Sequence, residues 1–322
     1  LGRQLVAQGV PAERITSVLS GLNDRVHLRV IALEVARAGL EGLALCWIAL
    51  GSQGREEQTL ATDQDNGLVF DAGPGADVEA VRARLLPVAR RINEGLAACG
   101  FPLCRGEVMA SNPRWCGSVE EWTAHFARWI QVPEPEALLN ASIFFDLRPI
   151  WGDAALVAPL RRFLAEAAPE SQRFLLLLAR NALGRRPPLG FFRDFAVETK
   201  GPAKGTIDLK LGGAALFVDA ARVYALATGS PGPGTVARLR EAQAAAGLDR
   251  AEVEGWIDAF HHLQVLRLER QLEAARAGGP VDNRVAPVSL YPLERRFLRE
   301  ALRQAREMQA RLARSFAEPS GL

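Results

Sequence analysis

Two aspartates with one residue between them, Asp63 and Asp65, are the side chains of this 322-residue sequence whose type and spacing most directly suggest chemistry. In an extended segment, residues i and i+2 face the same side. The triplet Asp63-Gln64-Asp65 therefore aims two carboxylates at one point. Paired carboxylates repel unless a cation lies between them, and a hard divalent ion such as Mg²⁺ suits oxygen donors of this kind. Upstream, Gly51-Ser52 follows an unbroken apolar run from Leu43 to Leu50. A glycine there lets backbone N–H groups approach an anion closely, and Ser52 adds a hydroxyl. Carboxylates for a metal beside a cradle for phosphate are the parts needed for phosphoryl or nucleotidyl transfer. A calcium loop is excluded, because Gly67, Leu68 and Pro74 occupy positions where that motif needs other residues. A Walker-type loop is excluded because no Gly-Lys-Ser/Thr follows the glycines.

The elements that must position these groups can be read from periodicity. The run Leu43–Leu50, bounded by Gly42 and Gly51, predicts a strand buried on both faces. A second strand is expected over Asp65–Phe70. The first forty residues read as helix, with Pro11 in the first turn. The stretch 77–99 reads as an amphipathic helix, with Val78, Val81, Leu85, Val88, Ile92 and Leu96 on one face. A strand pair, or a bent strand, is expected over 101–109. Trp115, Trp122 and Trp129 recur every seven residues, which stacks them on one helical face and predicts a buried aromatic seam. An apolar strand is expected over 141–145, ending at Asp146 at the rim of the sheet. Asp146 then reads either as a third carboxylate of the site or as the ion-pair partner of Arg148. From Ala154 onward the pattern is helical throughout, over 154–167, 170–183, 213–228, 234–246, 249–276 and 292–316. The expected class is α/β (α+β): a mixed-sheet domain over residues 1–152 and an all-helical domain over 153–322, with the cleft between them.

Composition narrows the function classes. The chain is 48% hydrophobic and 24% charged, as in a soluble globular protein, and has no apolar run near the length of a membrane span. Its net charge of +2 makes no case for nucleic-acid binding. The absence of a signal peptide and the four cysteines, read as reduced thiols, point to the cytoplasm. Lacking an initiator Met, the sequence reads as part of a longer product. Cys99, Cys104, Cys116 and His125 lack the spacing of a zinc site. Of 39 basic residues only three are lysines, Lys200, Lys204 and Lys210, and all fall in KGPAKGTIDLK. Lysine is a compact charge that reaches a phosphate where a planar guanidinium does not fit. This predicts that Lys210, with Lys204, approaches the ligand; a solvated loop is the rival reading.

Gly-Ser, a ten-residue spacer and Asp-x-Asp resemble the signature of the polymerase-β-like nucleotidyltransferase superfamily. The fuller string GSQGREEQTLATDQDNGL resembles one branch, the nucleotidyltransferase domain related to the amino-terminal domain of protein-PII uridylyltransferase. That domain often follows cyclic-nucleotide-binding and CBS domains. NASIFFDLRPIWGD (140–153) and TIDLKLGGAALFVDAAR (206–222) extend the resemblance over most of the chain. Gln64 and Asn66 stand where the wider superfamily places hydrophobic residues, but they fit the narrower branch.

The resemblance implies a transferase using Mg²⁺ or Mn²⁺ held by Asp63, Asp65 and Asp146. It places the phosphates of a nucleoside triphosphate (NTP) at Gly51 and Ser52. It also implies a protein acceptor, such as a tyrosine of a PII-like regulator, and upstream regulatory domains. Arg55, with Glu56 beside it, falls in the nucleotide-binding loop. Arg55 reads either as a ligand of the triphosphate or as a partner of Glu56 or Glu57 that orders the loop. With no His-Asp dipeptide, the uridylyl-removing hydrolase of the full relative is not encoded. A second reading is a module that senses NTP–Mg²⁺ without transfer.

Overall fold

The computed structural model describes residues 8, 10, 12–40, 42–190, 195–230 and 232–317. The chain divides into two compact units. One comprises Ser17–Gln58 and Thr62–Ser171; the other comprises Gln172–Leu322, with Thr59–Ala61 and the chain up to Thr16.

The first unit is built on a four-stranded mixed sheet in the order β3-β2-β1-β4. Strand β1 (Leu45–Ala49) lies at its heart, antiparallel to β2 (Asn66–Phe70) on one side and to β4 (Arg148–Gly152) on the other. Strand β3 (Cys116–Ser118) runs parallel to β2. Every residue of β1 is buried, as its uninterrupted apolar run requires of a strand covered on both faces. Helices α1 (Ala12–Arg37) and α3 (Val78–Ala98) cover one face, where Ile31, Val35, Leu85, Val88, Ile92 and Leu96 pack on Leu45, Trp47, Leu68 and Phe70. Between β1 and β2 the chain makes one short helical turn, α2 (Gly51–Gly54). Asp77 caps α3 by accepting from the N–H groups of Glu79 and Ala80 (2.9 and 3.3 Å).

The aromatic seam lies within this unit. Trp122 and Trp129, on α4 (Val119–Gln131), and Trp115 just before β3 are all buried. Their ring centroids lie 4.2 Å (Trp115), 5.6 Å (Trp122) and 5.4 Å (Trp129) from that of Phe144, near the end of α5 (Pro135–Phe144). Trp122 Nε1–H donates to the Leu68 carbonyl of β2 at 3.1 Å. The seam thus ties α5 to the sheet.

Two expected strands are corrected. Residues 141–144 complete helix α5, Phe145 and Asp146 form a turn after it, and the strand follows as β4. A short apolar run cannot by itself distinguish a buried strand from a buried helix. Here Pro135 at the helix start and the contacts of Phe144 with three tryptophans favour the helix. The expected strand pair over 101–109 is irregular chain, whose carbonyls at Pro102 and Val108 accept from Gln64 and Asn66 N–H (both 3.1 Å).

The second unit is helical: α7 (Gln172–Leu183), α8 (Ala215–Thr228), α9 (Thr235–Ala245), α10 (Arg250–Arg276) and α11 (Pro292–Leu312). It also holds a two-residue antiparallel pair, β5 (Ile207–Asp208) with β6 (Arg284–Val285), an addition to the all-helical expectation. Lys210–Thr228 is long and apolar enough to cross a membrane, yet 67% of it is buried in the protein, as in a core helix. The division between units falls at Ser171/Gln172 and not after Gly152, because α6 (Ala158–Glu170) packs with the sheet unit.

Candidate active site

The candidate site is assembled at the end of β1. Because β1 and β2 are antiparallel and Ala49 pairs with Asn66, the chain leaving β1 lies beside the chain entering β2. Leu50 N–H donates to the Asp65 carbonyl at 3.0 Å. Gly51 follows at φ +52°, the left-handed region that favours glycine. A Cβ built there would stand 3.0 Å from Asp65 Oδ2, so the glycine backbone and this carboxylate are immediate neighbours. The Ser52 hydroxyl is half-buried and makes no hydrogen bond with the described residues.

The triplet alternates as its spacing requires. Asp63 is exposed and Asp65 half-buried, while Gln64 and Asn66 point the opposite way and are buried. The inward pair does not pack against apolar side chains alone. It joins Asn93 of α3 in a closed amide network: Asn93 Nδ2 donates to Gln64 Oε1 (2.8 Å) and to Asn66 Oδ1 (3.1 Å). Gln64 Nε2 donates to the carbonyls of Asn93 (2.9 Å) and Phe101 (2.8 Å). Ala110 N–H donates to Asn66 Oδ1 at 2.8 Å. Polar side chains can replace apolar ones here because their hydrogen bonds are satisfied inside the protein. The network clamps the strand from behind and leaves its aspartates facing outward. Asn93 was not singled out from sequence; a lone polar residue among the core-facing positions Val88, Ile92 and Leu96 was the available signal. Cys104, also not anticipated, lies beside Asp65. Burial, and then the neighbouring carboxylate, push its thiol pKa up. Burial drives the Cys46 and Cys116 thiols to about 12, and both are core residues.

Asp146 occupies a different setting. Its side chain is fully buried, and Oδ2 accepts from Arg55 Nη1 at 2.5 Å. Arg55 Nε donates to Glu57 at 2.8 Å. Of the readings open for Arg55, the loop-ordering one has a partner in Glu57, and Asp146 is a second. The ion pair between Asp146 and Arg148 does not form. Arg148 reaches Asp24 of α1 instead (2.9 Å), the Gln53 carbonyl (2.9 Å) and Glu56 (3.5 Å). Glu56 is exposed and sits at φ +59°, uncommon for a side-chain-bearing residue. Gly54 seals the junction, since a Cβ there would fall 1.8 Å from the Asp146 carbonyl oxygen. The turn α2 is therefore held between Asp65 on one flank and Asp146 on the other.

Among the described residues, no three or more His, Cys, Asp or Glu side chains are grouped so as to hold a metal ion. Asp63, exposed, and Asp65, half-buried, carry oxygen donors of the kind a divalent cation takes. Asp146, turned to Arg55, does not add a third in this arrangement. Lys204 and Lys210 belong to the helical unit. Lys204 is exposed; Lys210 is half-buried, and its N–H donates to Asp208 Oδ1 at 2.8 Å.

Residues 1–136 match the family described as "Putative nucleotidyltransferase DUF294". Residues 172–316 match the one described as "Putative nucleotidyltransferase substrate binding domain". The second match begins at the residue where the helical unit begins. Comparison with curated proteins gives no match.

Proposed function

The chain belongs to this putative nucleotidyltransferase family, and from that premise we propose that it moves a nucleoside monophosphate from an NTP to an acceptor hydroxyl. The observation that carries the reading is the close approach of the Gly51 backbone to the Asp65 carboxylate, with Ser52 next in the chain and Asp63 exposed two residues before Asp65. Gly51 and Ser52 bind the phosphates, the one by close backbone approach and the other by its hydroxyl. Asp63 and Asp65 would hold Mg²⁺ or Mn²⁺, which when bound neutralises phosphate charge and eases ionisation of the acceptor hydroxyl. The acceptor oxygen forms a bond to the α-phosphorus, the bond from that phosphorus to the bridging oxygen breaks, and pyrophosphate leaves with the electron pair. The acceptor proton passes to a carboxylate of the site. Asp146 is the candidate, and it serves once its pair with Arg55 opens.

Arg55 and Glu56 border the same loop and are assigned to the nucleotide side of the site. Lys204 and Lys210 are proposed as further phosphate ligands, Lys210 first. A protein hydroxyl, such as a tyrosine of a PII-like regulator, is the acceptor class we favour. Upstream regulatory domains and a cytoplasmic location complete this reading.

The test is transfer of label from each of the four α-labelled NTPs, with Mg²⁺ and cell extract, to a macromolecular acceptor, with pyrophosphate release measured in parallel. Transfer by the native chain and none by Asp65→Asn supports the proposal; label transfer undiminished in that variant sinks it. The buried Arg55–Asp146 pair favours a second reading, a module that binds NTP–Mg²⁺ and signals its occupancy without transfer. Thermal stabilisation by NTP–Mg²⁺ with no pyrophosphate release would select it.

A further inference from the structure

Helix α11 of the second unit carries Arg296, Arg299, Arg303 and Arg306, at successive spacings of three, four and three. That spacing places all four guanidinium groups on one helical face, in a row about 15 Å long at 1.5 Å rise per residue. The row lines a cavity of about 520 Å³, closed on another side by Leu189 and Gly190.

Some arginines elsewhere on the helices are matched one turn away by a carboxylate, as Arg37 is by Glu34, Arg222 by Asp219 and Arg270 by Glu273 (each 2.8 Å). In this row only Arg303 is so matched, by Glu300 at 3.2 Å. Arg296 and Arg306 make no ion pair with the described residues. Arg299 lies over the Phe195 ring at 5.7 Å, and its Nε is buried without a hydrogen-bond partner. Among the described residues lining the cavity, four guanidinium groups stand against one carboxylate, Glu300, and leave a concave cationic surface. Arginine forks match phosphate oxygens two at a time.

We propose that this cavity binds a linear oligophosphate anion, either free or as the phosphate tail of a nucleotide. A single phosphate would engage one or two of the arginines, whereas a chain of several phosphates engages the row. The volume suits a small molecule, since ligand cavities run from about 300 to 1,000 Å³. The site lies wholly in the helical unit and does not rest on the transferase reading.

The experiment is a calorimetric titration of the full chain with inorganic tripolyphosphate, with divalent metal chelated. Without metal, the Asp63 and Asp65 carboxylates repel the anion from the other candidate site. One tripolyphosphate per chain is expected, with affinity falling as salt rises. An R299Q/R303Q double variant should lose affinity by about tenfold or more, two charge-assisted contacts being removed. Arg303 is exposed and Arg299 half-buried, so an unchanged melting curve checks that the variant is folded. Displacement of tripolyphosphate by ATP in the same metal-free buffer identifies a nucleotide tail as the source; no displacement identifies the free anion. The proposal is overturned by absence of binding at low salt or by native affinity in the double variant. Binding of a single-stranded oligonucleotide in place of tripolyphosphate would overturn it too.

Discussion

Asp65 and Asp146 flank the same short turn, yet one is half-buried beside a glycine backbone and the other is sealed against a guanidinium. On the Asp65 flank, the side chain that crowds Gly51 can move. On the Asp146 flank, the atom that crowds Gly54 is a backbone carbonyl. The difference separates a carboxylate open to a ligand as it stands from one that braces the loop until its pair with Arg55 opens. Identical residue types in one site acquire opposite roles from what lies within a few ångströms.

Breaking the rigid flank should cost most. Gly54→Ala drives a Cβ into the Asp146 carbonyl, and we expect a loss of about 3 kcal/mol or more, read from urea unfolding. Gly51→Ala meets only a side chain and a strained φ, so about 1 kcal/mol is expected there. Equal losses at the two glycines would erase the contrast between the flanks.

Asp146→Ala removes one partner of a buried pair and takes from Arg55 the carboxylate that its Nη1 contacts. The expected loss is about 3 kcal/mol. A stable Asp146→Ala protein would show that the pair does not brace the loop.

The support behind the outward aspartates comes next in size. Asn93→Ala removes one donor from Gln64 Oε1 and one from Asn66 Oδ1, and takes the side-chain acceptor from Ser111 N–H, for about 2 kcal/mol. Loss of NTP binding beyond that stability change would sharpen the contrast, by showing that the amide network positions the Asp63/Asp65 pair.

His27 packs edge-on against Phe101, whose carbonyl is part of that network (ring centroids 4.6 Å). Burial, the largest influence, lowers its pKa from the usual 6.5. A depressed imidazole favours the folded state when neutral. This contribution is therefore present above pH 6.5 and lost as pH falls below it towards the folded value. Chemical unfolding on either side of that pH should show the decline, and His27→Gln should flatten it.

The smallest stability effect is expected at the open flank. Asp65→Asn should change unfolding free energy little, or raise it slightly by relieving carboxylate repulsion. What it should remove is the stabilisation from NTP–Mg²⁺, about 2.7 kcal/mol at a hundredfold excess over Kd in the native chain. A large loss of stability without ligand would make Asp65 a brace like Asp146. Lys210→Arg, which keeps charge and alters shape, should leave stability unchanged and weaken NTP binding if the ammonium contacts phosphate.

Much of this was legible in the residues themselves. The run from Leu43 to Leu50 announced a two-sided buried strand, and β1 is one. The alternation at 63–66 announced which side chains share a face. The apolar period marked α3 and the helices after Ser171, and the Trp spacing marked the pair Trp122 and Trp129 on α4, while Trp115 joins the seam from outside that helix. These are local signals: a strand repeats every two residues and a helix every 3.6, so burial on one face prints itself on neighbouring positions.

Other features depended on parts of the chain that only folding brings together. Residues 141–145 are apolar in either a strand or a helix, and the tryptophans around Phe144 decided for helix. Arg55 had two carboxylates directly after it in sequence, but Asp146 reached it from ninety-one positions away. Arg148 took Asp24 of α1 and not its near neighbour. Gln64 and Asn66 were polar where the wider superfamily is apolar, and Asn93, on another element, made them satisfiable inside a core. A side chain's type limits what it can bond, but its partner is whichever group the packing of distant elements delivers, and that information has no local period in the sequence.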